Sequence, residues 1–321
     1  MIMTRTSYLL NMLQAVFLTL LALSSVQATA KDSLHSWNAG PNKQAIFDFV
    51  QAVTDKNSKD YVPPALRIAT FDMDGTILIE QPRPVIREFN LSYLKKLAQE
   101  NPSLKVQPFE AVRKGDLSFL DNNLVLEAIE AGKGLSTTQY CEQVQTFSKS
   151  VKHPKFNRVY SELFYEPMLE LIRYLRENEF RILIVSGSEE FFVRCMVHPA
   201  TAIPITELFG LKRELLFSDN DFLMGTQFLS DNTVGTGKPI TIYYATGTKP
   251  IFAFGNTNGD NEMLAYTLSN KTHRNMAMWL DHDDANREYV YSGHVAQISG
   301  LRKVSMKNDF AKLFKDATPS K

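Results

Sequence analysis

Residues 71–80 read FDMDGTILIE, and two aspartates in this stretch, Asp72 and Asp74, stand one residue apart directly after an apolar run. The run LRIATF at 66–71 has the length of a strand and lies between prolines and an Asp-Gly turn, which predicts a buried β-strand. Because like charges repel, carboxylates this close must be solvated, paired with cations or used in chemistry.

Two further apolar runs predict buried strands, RILIVS at 181–186 and PIFAFG at 250–255. The apolar positions of 166–180 lie on one helical face before the second strand, and DNEMLAYTL at 260–268 has the pattern of a helix after the third. Alternation of strands and helices predicts an α/β fold with a doubly wound, mostly parallel, Rossmann-like sheet. Ligands of such sheets bind at the carboxyl ends of the strands.

The stretch between the first two strands predicts helices rather than one long loop. Residues 122–134 resemble a helix that ends at glycines, and Ser136 with Gln139 has the spacing of a capping box for the next helix. Structureless connections of this length are rare, so we predict an inserted helical cap subdomain. The predicted organisation is a signal peptide at 1–30, an N-terminal extension at 31–65, an α/β core at 66–88 and 161–321, and the cap at 89–160.

The first thirty residues have the layout of a cleavable export signal. Arg5 precedes an apolar stretch at 15–23, and small residues at 28–30 precede a charge, so we expect cleavage after Ala30. A membrane anchor is the alternative, but the stretch is shorter than the roughly 20 residues that span a bilayer. We therefore predict a periplasmic or secreted protein with no stable membrane anchor after cleavage.

The composition is that of an ordinary globular protein without a polyanion partner. Lys plus Arg and Asp plus Glu balance at 35 each over 321 residues, which argues against nucleic acid as a partner. The two cysteines, Cys141 and Cys195, allow one disulfide, and we expect two free, buried thiols instead. The oligomeric state is left open by the sequence.

Four clusters of polar residues stand at or between the ends of the predicted strands. They are Asp72 and Asp74, Ser186 in VSGS, Lys238 in GTGKP, and Asn256 with Asp260 in GNTNGD. In this order they resemble the four motifs of the haloacid dehalogenase superfamily, over residues 66–270. Within it, the stretches at 152–175 and 253–264 resemble an exported bacterial branch of phosphoserine-phosphatase-like hydrolases.

The resemblance implies a phosphatase that forms an aspartyl phosphate. Asp72 would be the nucleophile, and Asp74 would protonate the leaving alkoxide and then accept a proton from water. The phosphate would be bound by backbone or side-chain groups of Gly75, Thr76, Ser186, Gly187 and Lys238.

The resemblance also implies Mg²⁺ as cofactor, with oxygen ligands from Asp72, Asp74, Asn256 and Asp260. Many relatives carry Gly-Asp-x-x-x-Asp in the fourth motif, whereas this chain has Asn256 at the first acidic position. Asn offers a neutral carbonyl oxygen, so more of the metal's charge would be balanced by Asp260.

Hydrolysis of a small-molecule phosphate monoester is the predicted reaction. Dehalogenases lack the second aspartate because halide departs without a proton, so Asp74 favours a phosphatase. A hydrolase of another C–P or C–halogen substrate, and an exported phosphate- or metal-binding protein without turnover, are the alternatives. We hypothesise that Glu80 contacts a cationic alcohol of the phosphoserine, phosphoethanolamine or phosphocholine type, whereas Arg83, Arg87 and Arg158 are expected in surface ion pairs.

Two other motifs are excluded or set aside. GTGKP is not a nucleotide-binding P-loop, because Asn232 and Pro239 occupy the positions of an obligatory Gly and Ser or Thr. WLDHDD at 279–284 is interpreted as a solvated acidic loop rather than a metal site.

Overall fold

A parallel sheet organises the chain in the computed structural model, which describes residues 33–229 and 233–315. Its strands, with those of a separate hairpin, are β1 (Ile68–Phe71), β2 (Arg181–Glu189), β3 (Leu208–Leu211), β4 (Arg213–Ser218), β5 (Asp221–Phe228), β6 (Phe252–Gly255), β7 (Met276–Asp281) and β8 (Arg302–Ser305). The order in the sheet is β3-β2-β1-β6-β7-β8, and every neighbouring pair is parallel. The predicted α/β fold with a mostly parallel sheet is confirmed.

The three predicted strands are the centre of this sheet. Phe71 of β1 is in register with Ile184 of β2 and with Phe254 of β6, so the chain leaves all three strands at the same edge. β1 is buried on both faces, which explains why its sequence is apolar without alternation. β2 continues to Glu189, three residues beyond the predicted end at 186.

Helices cover the sheet and fill the stretch between β1 and β2. They are α1 (Pro41–Thr54), α2 (Val85–Glu100), α3 (Phe109–Lys114), α4 (Leu117–Asp121), α5 (Leu124–Gly132), α6 (Thr137–Ser150), α7 (Glu166–Glu177), α8 (Glu190–Thr201), α9 (Gly237–Thr246), α10 (Asn261–Leu268) and α11 (Met306–Asp309). None of the helices in the described ranges has the length and apolar character that a bilayer span requires.

Helices α2 to α6 occupy the stretch in which the cap is predicted. The capping box at the start of α6 is confirmed: Gln139 N–H donates to Ser136 Oγ at 3.1 Å, and Ser136 N–H donates to Gln139 Oε1 at 2.9 Å. α2 begins at Val85, before the predicted boundary at 89. The division into cap and core stays a prediction, as does the signal peptide, whose residues 1–30 lie outside the described ranges.

The N-terminal extension is anchored to the core through buried side chains. Trp37 packs edge-on against Phe310 with ring centroids 4.9 Å apart, and its Nε1 donates to Pro167 O at 2.9 Å. Ser36 donates to the buried carboxylate of Glu170 through both its N–H and its hydroxyl. The extension therefore contributes to the core although it contains no strand of the sheet in the described residues.

A disulfide joins Cys141 of α6 to Cys195 of α8, with the two Cα atoms 5.3 Å apart. The expectation of two free thiols was wrong. The cysteines are 54 residues apart in sequence and meet only because α6 packs against α8. The cross-link therefore ties a helix between β1 and β2 to the helix that follows β2.

Replacing both cysteines with alanine is expected to lower the free energy of unfolding by about 2–4 kcal/mol, because the cross-link restricts a long loop in the unfolded chain. Urea unfolding of the double variant and the parent protein measures this. The control is the parent protein in reductant, with reduction verified by thiol titration. Its urea midpoint should fall to that of the double variant. An unchanged midpoint after verified reduction would contradict the prediction.

Candidate active site

The parallel register places polar side chains from three strands at one edge of the sheet. Asp72 directly follows β1, and its N–H donates to Phe254 O of β6 at 3.0 Å, which continues the strand pairing by one residue. Ser186 lies within β2, and Asn256 directly follows β6. Four of the predicted site residues border one cavity: Asp72, Asp74, Lys238 and Asp260. Ser186 and Asn256 are fully buried and do not line it.

Lys238 bridges two carboxylates at this edge. It stands in the first turn of α9, and its Nζ lies 2.5 Å from Asp72 Oδ1 and 2.7 Å from Asp260 Oδ1. The same Nζ donates to Val185 O at 2.7 Å. Burial lowers the pKa of Lys238, but the charges of Asp260 and Asp72 outweigh burial and raise it, so the side chain carries a positive charge.

The two aspartates of the first motif occupy different environments. Burial raises the pKa of Asp72 to about 7, the charge of Asp260 adds to the rise, and Lys238 opposes it. Asp74 Oδ2 instead accepts from Ser188 Oγ at 2.8 Å and from Ser186 Oγ at 3.4 Å. Burial raises the pKa of Asp74 to about 6, and the bond from Ser188 limits the rise. Asp74 can therefore exchange a proton near neutral pH.

Ser188 is a site residue that the sequence analysis missed. Ser186 is fully buried, and its Oγ accepts from Ser188 N–H at 3.0 Å, whereas Ser188 and Gly187 border the cavity. The repeated serine of VSGS was the signal in the sequence. Because β2 extends to Glu189, the second serine also lies at the site.

Gly75 allows the chain to turn sharply after the second aspartate. It has a φ of +70°, and a Cβ built there would lie 2.0 Å from Asn256 Nδ2 and 2.7 Å from Glu80 Cδ. The next residue, Thr76, is fully buried, and its Oγ1 donates to Asn256 Oδ1 at 3.1 Å. The turn thus packs the first motif directly against the fourth.

Glu80 lies beside Asn256, whose Nδ2 donates to Glu80 Oε1 at 3.2 Å. Burial raises the pKa of Glu80 to about 8, while a hydrogen bond from Tyr291 lowers it and the charges of Asp74 and Asp72 raise it. Glu80 borders the same cavity as the two aspartates. Of the three arginines considered, Arg87 also borders it, whereas Arg83 and Arg158 form ion pairs with Glu88 and Glu162.

The family model of haloacid dehalogenase-like hydrolases matches residues 69–265, which include all four motifs. The chain belongs to this family. The resemblance stated from the motifs is confirmed. A search of curated proteins finds no match.

The chain is also similar to several solved structures. A functionally unknown protein from Anaerococcus prevotii is 16% identical, with a TM-score of 0.50 over 76% of this chain and 86% of that chain. Two others are a phosphoserine phosphohydrolase-like protein from Francisella tularensis (14% identity, 67% and 87% coverage, TM-score 0.36) and CbbY from Rhodobacter sphaeroides in complex with phosphate (13%, 77% and 95%, 0.38). At these identities the likeness concerns the fold alone.

In this hydrolase, a buried histidine supports the turn at Gly75. His282 Nε2 lies 2.7 Å from Gly75 O, and because a carbonyl oxygen only accepts, the nitrogen donates. His282 Nδ1 lies 3.2 Å from Glu288 Oε2, and the ring stacks on Tyr291 with centroids 4.2 Å apart. The interpretation of WLDHDD as a solvated acidic loop was wrong: residues 279–281 are the end of strand β7, and His282 and Asp284 are buried. His282 thereby supports the turn that follows Asp74.

The donor atoms of the site fit a hard cation. Four carboxyl groups lie close enough for their charges to raise one another's pKa values: those of Asp72, Asp74, Glu80 and Asp260. Among the described residues, Lys238 is the one cationic side chain that contacts any of them. Asp74 Oδ1 is buried and has no hydrogen-bond partner there. No group of three or more His, Cys, Asp or Glu side chains in the described ranges is arranged around a metal position. The carboxylate donors of the site are all oxygen, the ligand type that Mg²⁺ prefers.

Gly75→Ala is expected to destabilise the protein by more than about 3 kcal/mol, because left-handed strain is added to a steric clash with Asn256. Gly134→Ala is the matched control: Gly134 has a φ of +76°, but a Cβ there meets no described atom within 4 Å. The control should lose only about 1–2 kcal/mol from strain. Urea unfolding of both variants measures the difference, and equal losses would contradict the role of the Gly75–Asn256 contact.

Proposed function

We propose that this hydrolase cleaves phosphate monoesters through an aspartyl-phosphate intermediate on Asp72. The observation that carries the proposal is the pair of environments at the end of β1: Asp72 is held by a cation, and Asp74 is held by hydroxyl groups. An attacking carboxylate needs an adjacent positive charge, and a proton carrier needs a pKa near the working pH. Each aspartate meets one of these requirements.

The proposed reaction has two displacements. Asp72 forms a bond to phosphorus as the ester P–O bond breaks, and Asp74 donates its proton to the leaving alkoxide. Water then attacks the aspartyl phosphate, Asp74 accepts the proton, and Asp72 is released with inorganic phosphate. The pKa of Asp74, raised to about 6, supports this exchange near neutral pH.

Positive charge and hydrogen-bond donors around Asp72 would stabilise the transferred phosphoryl group. Lys238 supplies the positive charge, and the N–H group of Gly187, which borders the cavity, is a candidate donor. The N–H groups of Gly75 and Thr76, which were predicted to bind the phosphate, donate instead to Leu78 O at 2.7 Å and Met73 O at 3.2 Å, and neither residue lines the cavity, so we do not assign them to phosphate binding. Ser186 was predicted to donate directly, but its hydroxyl contacts Asp74 and Ser188 N–H, whereas Ser188 borders the cavity. Because Ser188 Oγ donates to Asp74 Oδ2 at 2.8 Å, we assign both serines to holding Asp74 rather than to binding the phosphate.

We propose Mg²⁺ as the cofactor, held by Asp72, Asp260 and the backbone carbonyl of Asp74. The ion would offset the charge of the phosphate against the carboxylates. Asn256 Oδ1 already accepts from Thr76, so Asn256 acts first by positioning the turn and Glu80, and second as a neutral ligand.

The leaving group is proposed to carry a cationic amine or ammonium that contacts Glu80. The half-buried carboxyl of Glu80 borders the cavity and has its pKa raised to about 8, so an adjacent cation would restore its ionised form. Such an alcohol also offsets part of the negative charge that a phosphate brings to an acidic site.

A periplasmic or secreted location is proposed from the export signal in the sequence. The disulfide between Cys141 and Cys195 is compatible with this location, because disulfides persist in oxidising compartments.

Phosphate release from p-nitrophenyl phosphate tests the reaction. With Mg²⁺ we expect turnover that chelator removes and that Asp72→Asn lowers by at least about 1000-fold. The matched control is Asp219→Asn, an exposed position in the β4–β5 turn. Phosphorus label retained on acid-quenched parent protein and absent from Asp72→Asn would support the intermediate. Metal or phosphate binding without release would instead favour a binding protein.

Glu80→Gln is expected to reduce kcat/KM for phosphoethanolamine about 10- to 100-fold relative to glycerol phosphate, since an ion-paired hydrogen bond becomes a neutral one. Steady-state kinetics on both esters measure the change. Glu88→Gln, which removes a charge paired with Arg83 outside the cavity lining, is the control. Equal effects on cationic and neutral esters would contradict the role of Glu80.

A further inference from the structure

The cavity that begins at Asp72 extends away from the carboxylates to a mainly apolar wall. It has a volume of about 630 Å³, enough for a leaving group larger than a two-carbon alcohol. α2, α5, the end of β3, β5 and the segment before α9 contribute the apolar side chains. These are Ile86, Leu124, Val125, Leu211, Phe228 and Val234, called the apolar wall below.

Several members of the apolar wall are open to solvent. Leu124 is 46% exposed, Val125 62% and Val234 42%, and the first two stand in the first turn of α5. Clustered exposed apolar side chains at the rim of a cavity mark a binding surface more often than scattered ones do. Here the same cavity contains the nucleophile, so the occupant of the wall is the leaving group of the substrate.

Each cationic side chain in the described lining of the cavity is already paired with two carboxylates. Among the described residues that line it, the cationic side chains are Lys238 and Arg87. Lys238 is shared by Asp72 and Asp260, and Arg87 donates to Asp121 at 2.9 Å and to Glu127 at 3.1 Å. Arg87 Nε has no hydrogen-bond partner among the described residues, but the charge of Arg87 is already balanced by two acids. A carboxylate on the leaving group would therefore be desolvated with little electrostatic compensation, which is costly.

Buried acids on the far side of the cavity add to this bias. Glu127 is 1% exposed and Glu189 is 2% exposed, and both line the cavity. Glu189 pairs with Arg213 at 3.6 Å, and Glu127 pairs with Arg87. These ion pairs consume the local positive charge, and the remaining polar side chains of the described lining, Asn90, Ser188 and Thr257, are neutral, so no unpaired positive charge would balance an additional anion.

Arg213 makes the apolar wall a preformed surface. Its buried guanidinium donates to Ala128 O at 3.0 Å and Ile129 O at 2.7 Å, both in α5, and its Nε donates to Gly225 O of β5 at 2.9 Å. The helix that carries Leu124 and the strand that carries Phe228 are thus joined through one side chain. A wall that is held in place before the substrate binds can select for shape without the entropy cost of ordering it for each substrate.

We propose that the apolar wall makes this enzyme selective for phosphate esters whose alcohol has an apolar body and no carboxylate. The selectivity rests on the proposed phosphatase function and narrows it: phosphoethanolamine-like and larger apolar esters are substrates, and phosphoserine is a poor one. Leu124 and Val125 are the residues of the wall that determine specificity.

Two matched substrate pairs, all esters of primary alcohols, test the proposal. O-phosphoserine differs from phosphoethanolamine by one carboxylate, and 2-phenylethyl phosphate differs from methyl phosphate by an apolar body. We expect kcat/KM to favour phosphoethanolamine over O-phosphoserine, and the phenylethyl over the methyl ester, by about 10-fold or more in each pair.

A matched pair of variants assigns the second preference to the wall. Leu124→Ser should reduce the phenylethyl-to-methyl preference about 3- to 10-fold, mainly through KM, because apolar contact area is lost. Leu117→Ser is the control: Leu117 is also 46% exposed, stands on the neighbouring α4 and does not line the cavity, so the parent preference should persist.

The outcomes separate the two proposals. Turnover of methyl phosphate with no preference in either pair, or equal effects of Leu124→Ser and Leu117→Ser, would overturn the selectivity while leaving the phosphatase function in place. No release of phosphate from any of the four esters or from p-nitrophenyl phosphate would overturn both.

Discussion

A single buried ammonium group makes the active-site edge of this sheet stable. Lys238 Nζ contacts Asp72, Asp260 and a backbone carbonyl of β2, so it joins the three central strands and the helix α9 at one point. Without Lys238, the buried carboxylates of Asp72 and Asp260 would repel each other strongly. Burial alone already raises the pKa of Asp72. The same ammonium would stabilise the phosphoryl group, so the interaction that permits the fold at this edge also prepares its chemistry.

The turn after Asp72 depends on a second set of contacts from distant parts of the chain. Asn256 fills the space that a side chain at position 75 would need, and His282 Nε2 donates to the carbonyl of Gly75. These contacts hold Asp74 against Ser188 while Asp72 faces Lys238. The different roles proposed for the two aspartates therefore follow from how the turn is packed. Their own sequence does not distinguish them.

The outer half of the cavity is built from elements between the core motifs. α5 and the β4–β5 hairpin are joined by Arg213, and α6 is tied to α8 by the disulfide. The proposed reacting groups thus lie at the ends of the central strands, and most of the proposed leaving-group surface lies on helices and a hairpin outside the sheet. This division explains how one family fold serves many substrates.

Local patterns in the sequence determined the elements of the fold and the order of the reactive residues. The runs that became β1, β2 and β6 are apolar because both faces of those strands are buried, and the capping box of α6 involves residues three positions apart. Periodicity and short spacing carry this information. The motif residues could therefore be assigned to strand ends before their distances were known.

Tertiary structure alone decided which distant residues meet. Cys141 and Cys195 pair because α6 packs on α8, His282 is buried because it lies behind the turn at Gly75, and Ser188 reaches Asp74 because β2 is longer than its apolar run. No local sequence pattern predicted the burial of Arg213 or its link between the hairpin and α5. A buried arginine is stabilised by carbonyl groups of another element, here Ala128 and Ile129 of α5. Contacts between residues far apart in the chain depend on packing, which no short stretch of sequence encodes.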